Sequence, residues 1–140
     1  MIACIVSGPG AADAILKRAE ESLAQHGVES WHAKRDQPEG TITSWLAKTE
    51  LLMTLGGDGT FLAGARLAGP RGIPLLGVNL GRLGFLTELE EDQLEAGVSG
   101  FIEGKHRIEE RTILQVASGK LGRDEFTAWL QAHLVERGEP

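Results

Sequence analysis

The sequence predicts an α/β fold built around a doubly wound parallel sheet. Short continuous apolar runs, typical of strands buried on both faces, alternate along the chain with stretches whose apolar residues recur at helical spacing. Nineteen of the 140 residues are glycine, about twice the usual share, and many lie between those runs. Strands and helices that alternate in this way indicate a Rossmann-like arrangement, in which ligands bind beyond the carboxyl ends of the strands.

The first third of the chain predicts two strands, over residues 2–6 and 28–33, with one helix between them. Gly27 is the expected end of that helix. The apolar side chains that define the helix recur every three or four residues, at Ala12, Ile15, Ala19 and Leu23.

The middle of the chain continues the alternation. A polar loop over 34–40 and a short helix over 42–47 lead to an apolar strand over 51–55. A glycine turn and a helix over 61–68 follow it. The next strand, over 73–78, contains Pro74, which weakens its first residues but not its end.

A further helix is predicted from a capping-box spacing, Thr87 to Glu90, with acids at 90–92 near its positive N-terminus. Gly104 is its expected end. Residues 112–117 predict a strand and 118–124 a turn, whereas residues 125–136 fit a helix and a returning strand equally well. The apolar stripe of the helix comprises Leu94, Val98, Phe101 and Ile102.

Composition and charge narrow the function. The formal net charge is -6 and 41% of the residues are hydrophobic. The hydrophobic share is enough to form a core. The negative charge argues against binding to nucleic acid or to an anionic membrane, both of which require a basic surface. No stretch reaches the roughly 20 apolar residues of a membrane-spanning helix. Cys4 is the only cysteine, so we expect no internal disulfide, a core position for Cys4 and a cytoplasmic location.

The most informative segment is Gly56-Gly57-Asp58-Gly59-Thr60, between a predicted strand and a predicted helix. Glycines let a ligand approach the backbone, and free N–H groups at the helix start bind phosphate oxygens. Asp58 would repel a phosphate unless a metal ion, a proton or a sugar hydroxyl lies beside it. The turn therefore indicates phosphate chemistry at a hydroxyl. The alternative is a structural turn with Asp58 and Thr60 as helix caps.

A second segment, residues 74–86, places three glycines around one amide, Asn79, and one cation, Arg82. Asn79 can donate and accept hydrogen bonds, which suits a ribose or an adenine edge, and a structural role fits equally well. Arg66 and Arg82 fit two roles, a contact with phosphate and, as the expected one, a solvated or ion-paired side chain. No metal site is predicted, because the four histidines lack metal-ligand spacing and suit surface or helix-end positions: His26, His32, His106 and His133.

Together the two segments resemble the NAD kinases. That family shows the same Gly-Gly-Asp-Gly-Thr turn and then a Gly-x-Asn-x-Gly-x-Leu-Gly-Phe-Leu segment, and both are complete here. The turn is shared with diacylglycerol and sphingosine kinases, and a variant occurs in phosphofructokinases, whereas the second segment is much more particular to NAD kinases. Glu109-Glu110-Arg111 resembles the family's crossing point into its second domain, and the resemblance covers most of residues 1–117.

The resemblance implies an enzyme that phosphorylates the 2′-hydroxyl of the NAD adenosine ribose from ATP or polyphosphate to give NADP. Mg²⁺ would be held mainly by the ATP. Asp58 is then the catalytic proton acceptor, and Phe61 is either a nucleotide contact or a core residue. The implied nucleotide-binding residues are Gly56, Gly57, Asp58, Gly59, Thr60, Phe61 and Asn79.

The end of the chain departs from the family pattern. NAD kinases continue into a β-rich second domain that supplies much of the NAD site, beginning with an Asn-Asp or Asn-Glu pair. Gln131 and Ala132 stand in that place here. We therefore expect an α/β domain over 1–110, only the start of the second domain over 111–140, and little activity from these residues alone.

Two origins fit this departure: a fragment of an NAD kinase, or a short relative that has lost or outsourced catalysis. A homo-oligomer is expected, because another copy would complete the cleft. Two other functions stay open. The first is a non-catalytic nucleotide-binding module, which fits the altered pair at Gln131 and Ala132. The second is a lipid or sugar kinase, which shares the glycine turn. The segment Leu83-Gly84-Phe85-Leu86 argues against the second.

Overall fold

The computed structural model describes residues 1–80 and 89–104, whose centre is a parallel sheet. Its strands, in chain order, are β1 Ile2–Ser7, β2 Glu29–Lys34, β3 Leu51–Gly56, β4 Leu75–Asn79 and β5 Leu89–Glu90. The spatial order is β2-β1-β3-β4-β5, and every neighbouring pair is parallel. The predicted doubly wound parallel sheet is confirmed. The expected strand over 112–117, the alternatives for 125–136 and the 110/111 domain boundary lie outside the described residues.

Helices connect these strands, as the alternating pattern predicts. They are α1 Asp13–Gln25, α2 Thr43–Leu46, α3 Asp58–Ala68 and α4 Leu94–Ile102. Gly27 and Gly104, the two expected stops, follow α1 and α4 with positive φ angles of 73° and 74°. This left-handed backbone is the usual end of a helix and favours glycine. Strand β4 begins directly after Pro74, in agreement with the restriction that proline imposes.

The sheet is buried on both faces, because successive side chains of each strand point to opposite sides. On one face, alternate residues of β1 and β3 pack with α1 and α4. The buried members are Ala3, Ile5, Ile15, Ala19, Leu23, Leu51, Met53, Leu55, Leu94 and Val98. On the other face they pack with α2 and α3, through Cys4, Val6, Leu52, Ile42, Leu46 and Ala68. This double coverage explains why the strands read as continuous apolar runs.

The predicted start of the fourth helix is wrong, because α4 begins at Leu94. Leu89 and Glu90 pair with Val78 and Asn79, so both stay extended as β5 instead of entering a helix. The reciprocal capping box lies one turn later: the Glu90 backbone N–H donates to the Gln93 side-chain carbonyl at 2.9 Å. Thr87, the expected cap, lies outside the described residues.

An ion pair joins the two helices that share a face. Arg18 of α1 donates to both carboxylate oxygens of Glu95 in α4, at 2.7 and 2.9 Å. These hydrogen bonds lower the pKa of the Glu95 carboxyl and raise that of Arg18. Because both side chains are substantially exposed, the pair orients the helices more than it stabilises them. Within the described ranges, none of the helices combines the length and the apolar character needed to span a bilayer.

Replacing Gly64 with alanine tests how closely α3 packs on the sheet. A Cβ at Gly64 would overlap the Thr54 side chain and lie 3.0 Å from Leu52 Cδ2, so we expect Gly64→Ala to lower the free energy of unfolding by about 1–2 kcal/mol. Gly100 in α4 has open space around its Cα, so Gly100→Ala should be neutral or raise it by up to about 1 kcal/mol. Urea unfolding compares the two. Equal stabilisation by both changes would contradict the packing.

The thiol of Cys4 provides a second test. Cys4 is fully buried, as expected from its apolar run, and burial raises its pKa to about 12. On the order of 10⁻⁴ of the thiol is then ionised at pH 8, and the thiolate is the reactive form. We expect iodoacetamide to modify Cys4 in the folded protein only as fast as the structure around it unfolds locally. In urea-unfolded protein it should modify Cys4 within minutes. Rapid labelling without urea would show that β1 is accessible.

Candidate functional site

The carboxyl ends of β1 and β3 meet at the centre of the sheet. The chain leaves β1 toward α1 on one face and leaves β3 toward α3 on the other. A strand order of 2-1-3-4-5 has its topological switch point between β1 and β3, where the two connections diverge and open a crevice. The predicted glycine turn follows β3 directly, so it lies at this switch point.

Backbone hydrogen bonds extend the sheet beyond its strand ends. Gly8 N–H, after β1, donates to Leu55 O at 3.0 Å, and Leu80 N–H, after β4, donates to Gly56 O at 3.2 Å. The loops that follow β1, β3 and β4 therefore begin from one continuous ladder. A site at this edge thus rests on hydrogen-bonded backbone, which favours precise positioning.

One residue, Gly57, connects β3 to α3. Gly57 is the N-cap, with φ -95° and ψ -162°, and its carbonyl accepts the Phe61 N–H at 3.0 Å. The helix thus begins at Asp58, three residues before the predicted start, and an acid in its first turn suits the positive helix end. The prediction that Asp58 or Thr60 caps α3 is wrong, because Gly57 occupies the N-cap position and has no side chain to donate or accept a hydrogen bond.

Thr60 holds α3 against the sheet instead. Its side chain is buried, at 1% exposure, between the backbones of Gly8 and Gly56. A Cβ atom added to either glycine would overlap Thr60 Oγ1, and one at Gly56 would also lie 2.7 Å from Thr60 Cβ. Both positions therefore require glycine for the close approach of helix and strand ends.

The predicted site residues fall into two sets. At the surface of the turn, Gly57 and Gly59 are exposed and Asp58 is half-buried. Beneath it, Phe61 is 5% exposed and Asn79 3% exposed, which favours the core alternative for Phe61. Their roles toward a ligand stay predictions.

The two segments that carry the family resemblance meet in space. Asn79 ends β4, and its register partner on β3 is Gly56. The sequence places these residues more than twenty positions apart, and the parallel pairing brings them side by side. The two strand ends therefore lie side by side at one edge of the sheet, and the expectation that they line one crevice stays a prediction. Arg82 and the glycines that follow Asn79 lie outside the described residues.

Sequence reasoning missed the contribution of the first strand. Gly8 packs against Thr60, and Ser7 Oγ lies 2.6 Å from His32 Nε2 at the same edge. The signal was present, since Ser7-Gly8-Pro9-Gly10 is itself glycine-rich and follows a buried strand. Taken alone, this stretch indicates only the end of a strand. Recognising its role requires the strand order, which puts β1 and not β2 beside β3.

Arg66 and His26 lie away from the turn. Arg66 is in the last turn of α3, the end opposite Asp58. His26 follows α1, and its Nε2 lies 3.1 Å from Ser99 Oγ, a helix-end position as expected. Among residues 1–80 and 89–104, no group of three or more His, Cys, Asp or Glu side chains is placed to hold a metal ion. His106 and His133 lie outside these ranges.

A surface cavity of about 560 Å³ lies at the other end of the sheet. It is lined by the first residues of β1 and β2, Ile2 and Glu29, and by Trp31 and Trp45. Because the glycine turn follows the last residue of β3, this cavity opens at the opposite edge from the candidate site. We therefore do not assign this cavity to the phosphate site, although it is large.

Fold and turn define a class of protein: doubly wound α/β domains with a glycine-rich strand-to-helix turn at the switch point of the sheet. Comparison with known families is more specific. A sequence model of the ATP-NAD kinase N-terminal domain matches residues 5–106, which include both segments. The chain belongs to the NAD kinase family by this domain.

Individual relatives agree with the family match. The chain is 51% identical over 78 residues to an NAD kinase of Heliobacterium modesticaldum, covering 56% of this chain and 28% of that protein. An NAD kinase of Thermobifida fusca is 53% identical over 77 residues, covering 55% and 24%. One from Geotalea daltonii is 40% identical over 106 residues, covering 75% and 34%. The chain thus matches between 24% and 34% of the length of these curated relatives.

Double substitution tests the packing of Thr60. We expect Gly8→Ala and Gly56→Ala each to lower the free energy of unfolding by about 1–3 kcal/mol, because each Cβ would overlap Thr60. Adding Thr60→Ala removes Oγ1 and should rescue Gly8→Ala, where the remaining Cβ-to-Cβ distance is 3.4 Å. It should not rescue Gly56→Ala, where that distance is 2.7 Å.

Urea unfolding of the single and double variants gives the two coupling energies. Equal rescue of both alanine variants by Thr60→Ala would contradict the difference in geometry. A fully stable Gly56→Ala variant would show that α3 can move away from the strand end.

Proposed function

We propose that this chain carries the phosphate-binding turn and the proton acceptor of an NAD kinase-type phosphotransferase. The reaction transfers a phosphoryl group from ATP or polyphosphate to the 2′-hydroxyl of the NAD adenosine ribose and gives NADP. The supporting observation is that residues 5–106 match the N-terminal domain of this family and that Gly56–Thr60 lies at the switch point of the sheet.

Asp58 is the proposed general base. The ribose hydroxyl oxygen attacks the terminal phosphorus, the bond from that phosphorus to the bridging oxygen breaks, and the hydroxyl proton passes to the Asp58 carboxylate. Asp58 is half-buried and is the first residue of α3, so its carboxylate lies beside the turn. Positioning is the larger part of such catalysis, because little covalent chemistry falls to the protein.

The backbone of the turn is the proposed contact for the transferred phosphate. The exposed glycines Gly57 and Gly59 present no side chain that would hold a ligand away, and the N–H groups at the start of α3 lack partners within the helix. Mg²⁺ would enter with the triphosphate, since this ion is usually held by phosphate oxygens, water and one or two carboxylates. When bound, it neutralises charge on the phosphate chain.

The remaining parts of the NAD site are proposed to come from elsewhere. The chain corresponds to about a third or less of its relatives' length. By the family resemblance, the ribose-binding pair belongs to a second domain. A second copy of the chain is the proposed partner that completes the cleft, and the reducing cytoplasm the proposed location, in keeping with a single buried cysteine.

Asp58→Asn separates chemistry from binding. The amide is nearly the same size but cannot accept the proton, so we expect NADP formation to fall at least about 100-fold while ATP and NAD affinity change less than about threefold. Asp13→Asn is the matched control, since Asp13 is also the first residue of its helix but follows β1. A sensitive NADP cycling assay on the purified chain, with calorimetry for binding, measures both quantities.

Each outcome is informative. Equal losses of binding and turnover in Asp58→Asn would contradict the general-base role. A wild-type chain that binds ATP and NAD but forms no NADP would reject phosphotransfer by this chain and leave a nucleotide-binding module. A comparable loss in Asp13→Asn would trace the effect to helix stability.

A further inference from the structure

A cation from a neighbouring strand lies against the glycine turn. Arg35 follows β2, and its backbone N–H donates to Ser7 O at 3.0 Å, which extends the β1–β2 ladder by one residue. Strand β1 separates β2 from β3, so Arg35 begins roughly 10 Å from the turn. Its long side chain crosses this gap at the carboxyl edge of the sheet.

The missing side chain of Gly59 makes room for the guanidinium. A Cβ atom at Gly59 would lie 2.9 Å from Arg35 Nη1 and 3.9 Å from Arg35 Cζ. The guanidinium is therefore in contact with the first turn of α3, one residue after Asp58. A side chain at position 59 would require the flexible end of Arg35 to move, so the contact locates the guanidinium without making glycine obligatory.

Within the described part of the chain, the cations that form salt bridges are Lys17, Arg18 and Arg71, and Arg35 forms none. Arg35 is exposed, and its guanidinium lies beside the N-terminus of α3. There the helix dipole disfavours a cation. A phosphate bound between the guanidinium and the N–H groups of the helix start would be attracted by both.

We propose that Arg35 binds the phosphate chain of the phosphoryl donor and contacts the group that is transferred. This inference rests on the proposed function, which assigns the acceptor hydroxyl to Asp58. Arg35 lies one residue along from that carboxylate, where the terminal phosphate must pass. The planar guanidinium can donate two parallel hydrogen bonds to phosphate oxygens and stabilise the charge that they carry in the transition state.

ATP and polyphosphate both present a phosphate chain to the guanidinium, so they are titrated separately. Calorimetry on the full 140-residue chain would use inorganic tripolyphosphate, MgATP and NAD. We expect Arg35→Gln to weaken tripolyphosphate or MgATP at least about tenfold and NAD less than about twofold. Arg35→Lys should retain part of the affinity, because a point charge persists without the bidentate fork.

Arg66→Gln is the matched control, because Arg66 carries the same charge on an exposed position at the far end of α3, roughly 12 Å from Asp58 along the helix axis. It should change each affinity less than about twofold. Melting temperatures of all variants confirm that the fold is retained, and removing an exposed side chain should leave them unchanged.

Several results would overturn the inference. These are wild-type affinity for both phosphate probes in Arg35→Gln, an equal loss in Arg66→Gln, a loss confined to NAD, or a wild-type chain that binds neither probe. NADP formation is scored separately. Absence of NADP formation together with Arg35-dependent tripolyphosphate binding rejects the proposed function and keeps Arg35 as a phosphate ligand.

Discussion

The close approach of Thr60 to Gly8 and Gly56 is the constraint on which the candidate site depends. One buried threonine side chain occupies the space that Cβ atoms on both glycines would need. It thereby holds the first turn of α3 against the ends of β1 and β3. Because a single residue connects β3 to α3, the free N–H groups of the helix start lie at the edge of the sheet. The acid of the turn is held at the same place.

The same principle recurs away from the site. Gly64 lets α3 pack on Thr54 and Leu52 of β3, and a Cβ at Gly97 of α4 would overlap the Leu89 side chain of β5. Helices that approach a sheet through glycine leave little freedom to slide, since the neighbouring side chains fill the space. The high glycine content therefore serves packing as much as phosphate contact.

The glycine turn combines two opposing features. Glycines and a helix N-terminus attract phosphate, whereas a carboxylate repels it. A turn that contains both suits a reaction in which phosphate meets a hydroxyl whose proton must be removed. The proposed contribution of Arg35 fits this balance, because a cation contacting Gly59 offsets the acid at position 58 without adding a side chain to the turn itself.

Local sequence determined most of the secondary structure of the described residues and the family. Continuous apolar runs gave the strands, helical spacing gave α1, and Gly27 and Gly104 gave helix ends, because each depends on residues within one or two turns of the chain. The glycine turn and the segment around Asn79 gave the family. Two local predictions failed, the N-cap at Thr60 and the helical position of Glu90, since in both cases a tertiary contact was stronger: Thr60 packs under the sheet ends, and Leu89 and Glu90 pair with β4.

Only the tertiary structure decided which strand ends share the crevice. The strand order places β1 between β2 and β3, which brings Gly8 under Thr60 and Arg35 against Gly59, although Arg35 stands in a polar loop that looks like any other. The sequence by itself determined that this is an α/β domain of the NAD kinase family with its acid at Asp58. Non-local strand pairing determined which backbone lies beneath that site and brought Arg35 to it, because register and order depend on the burial of both sheet faces together.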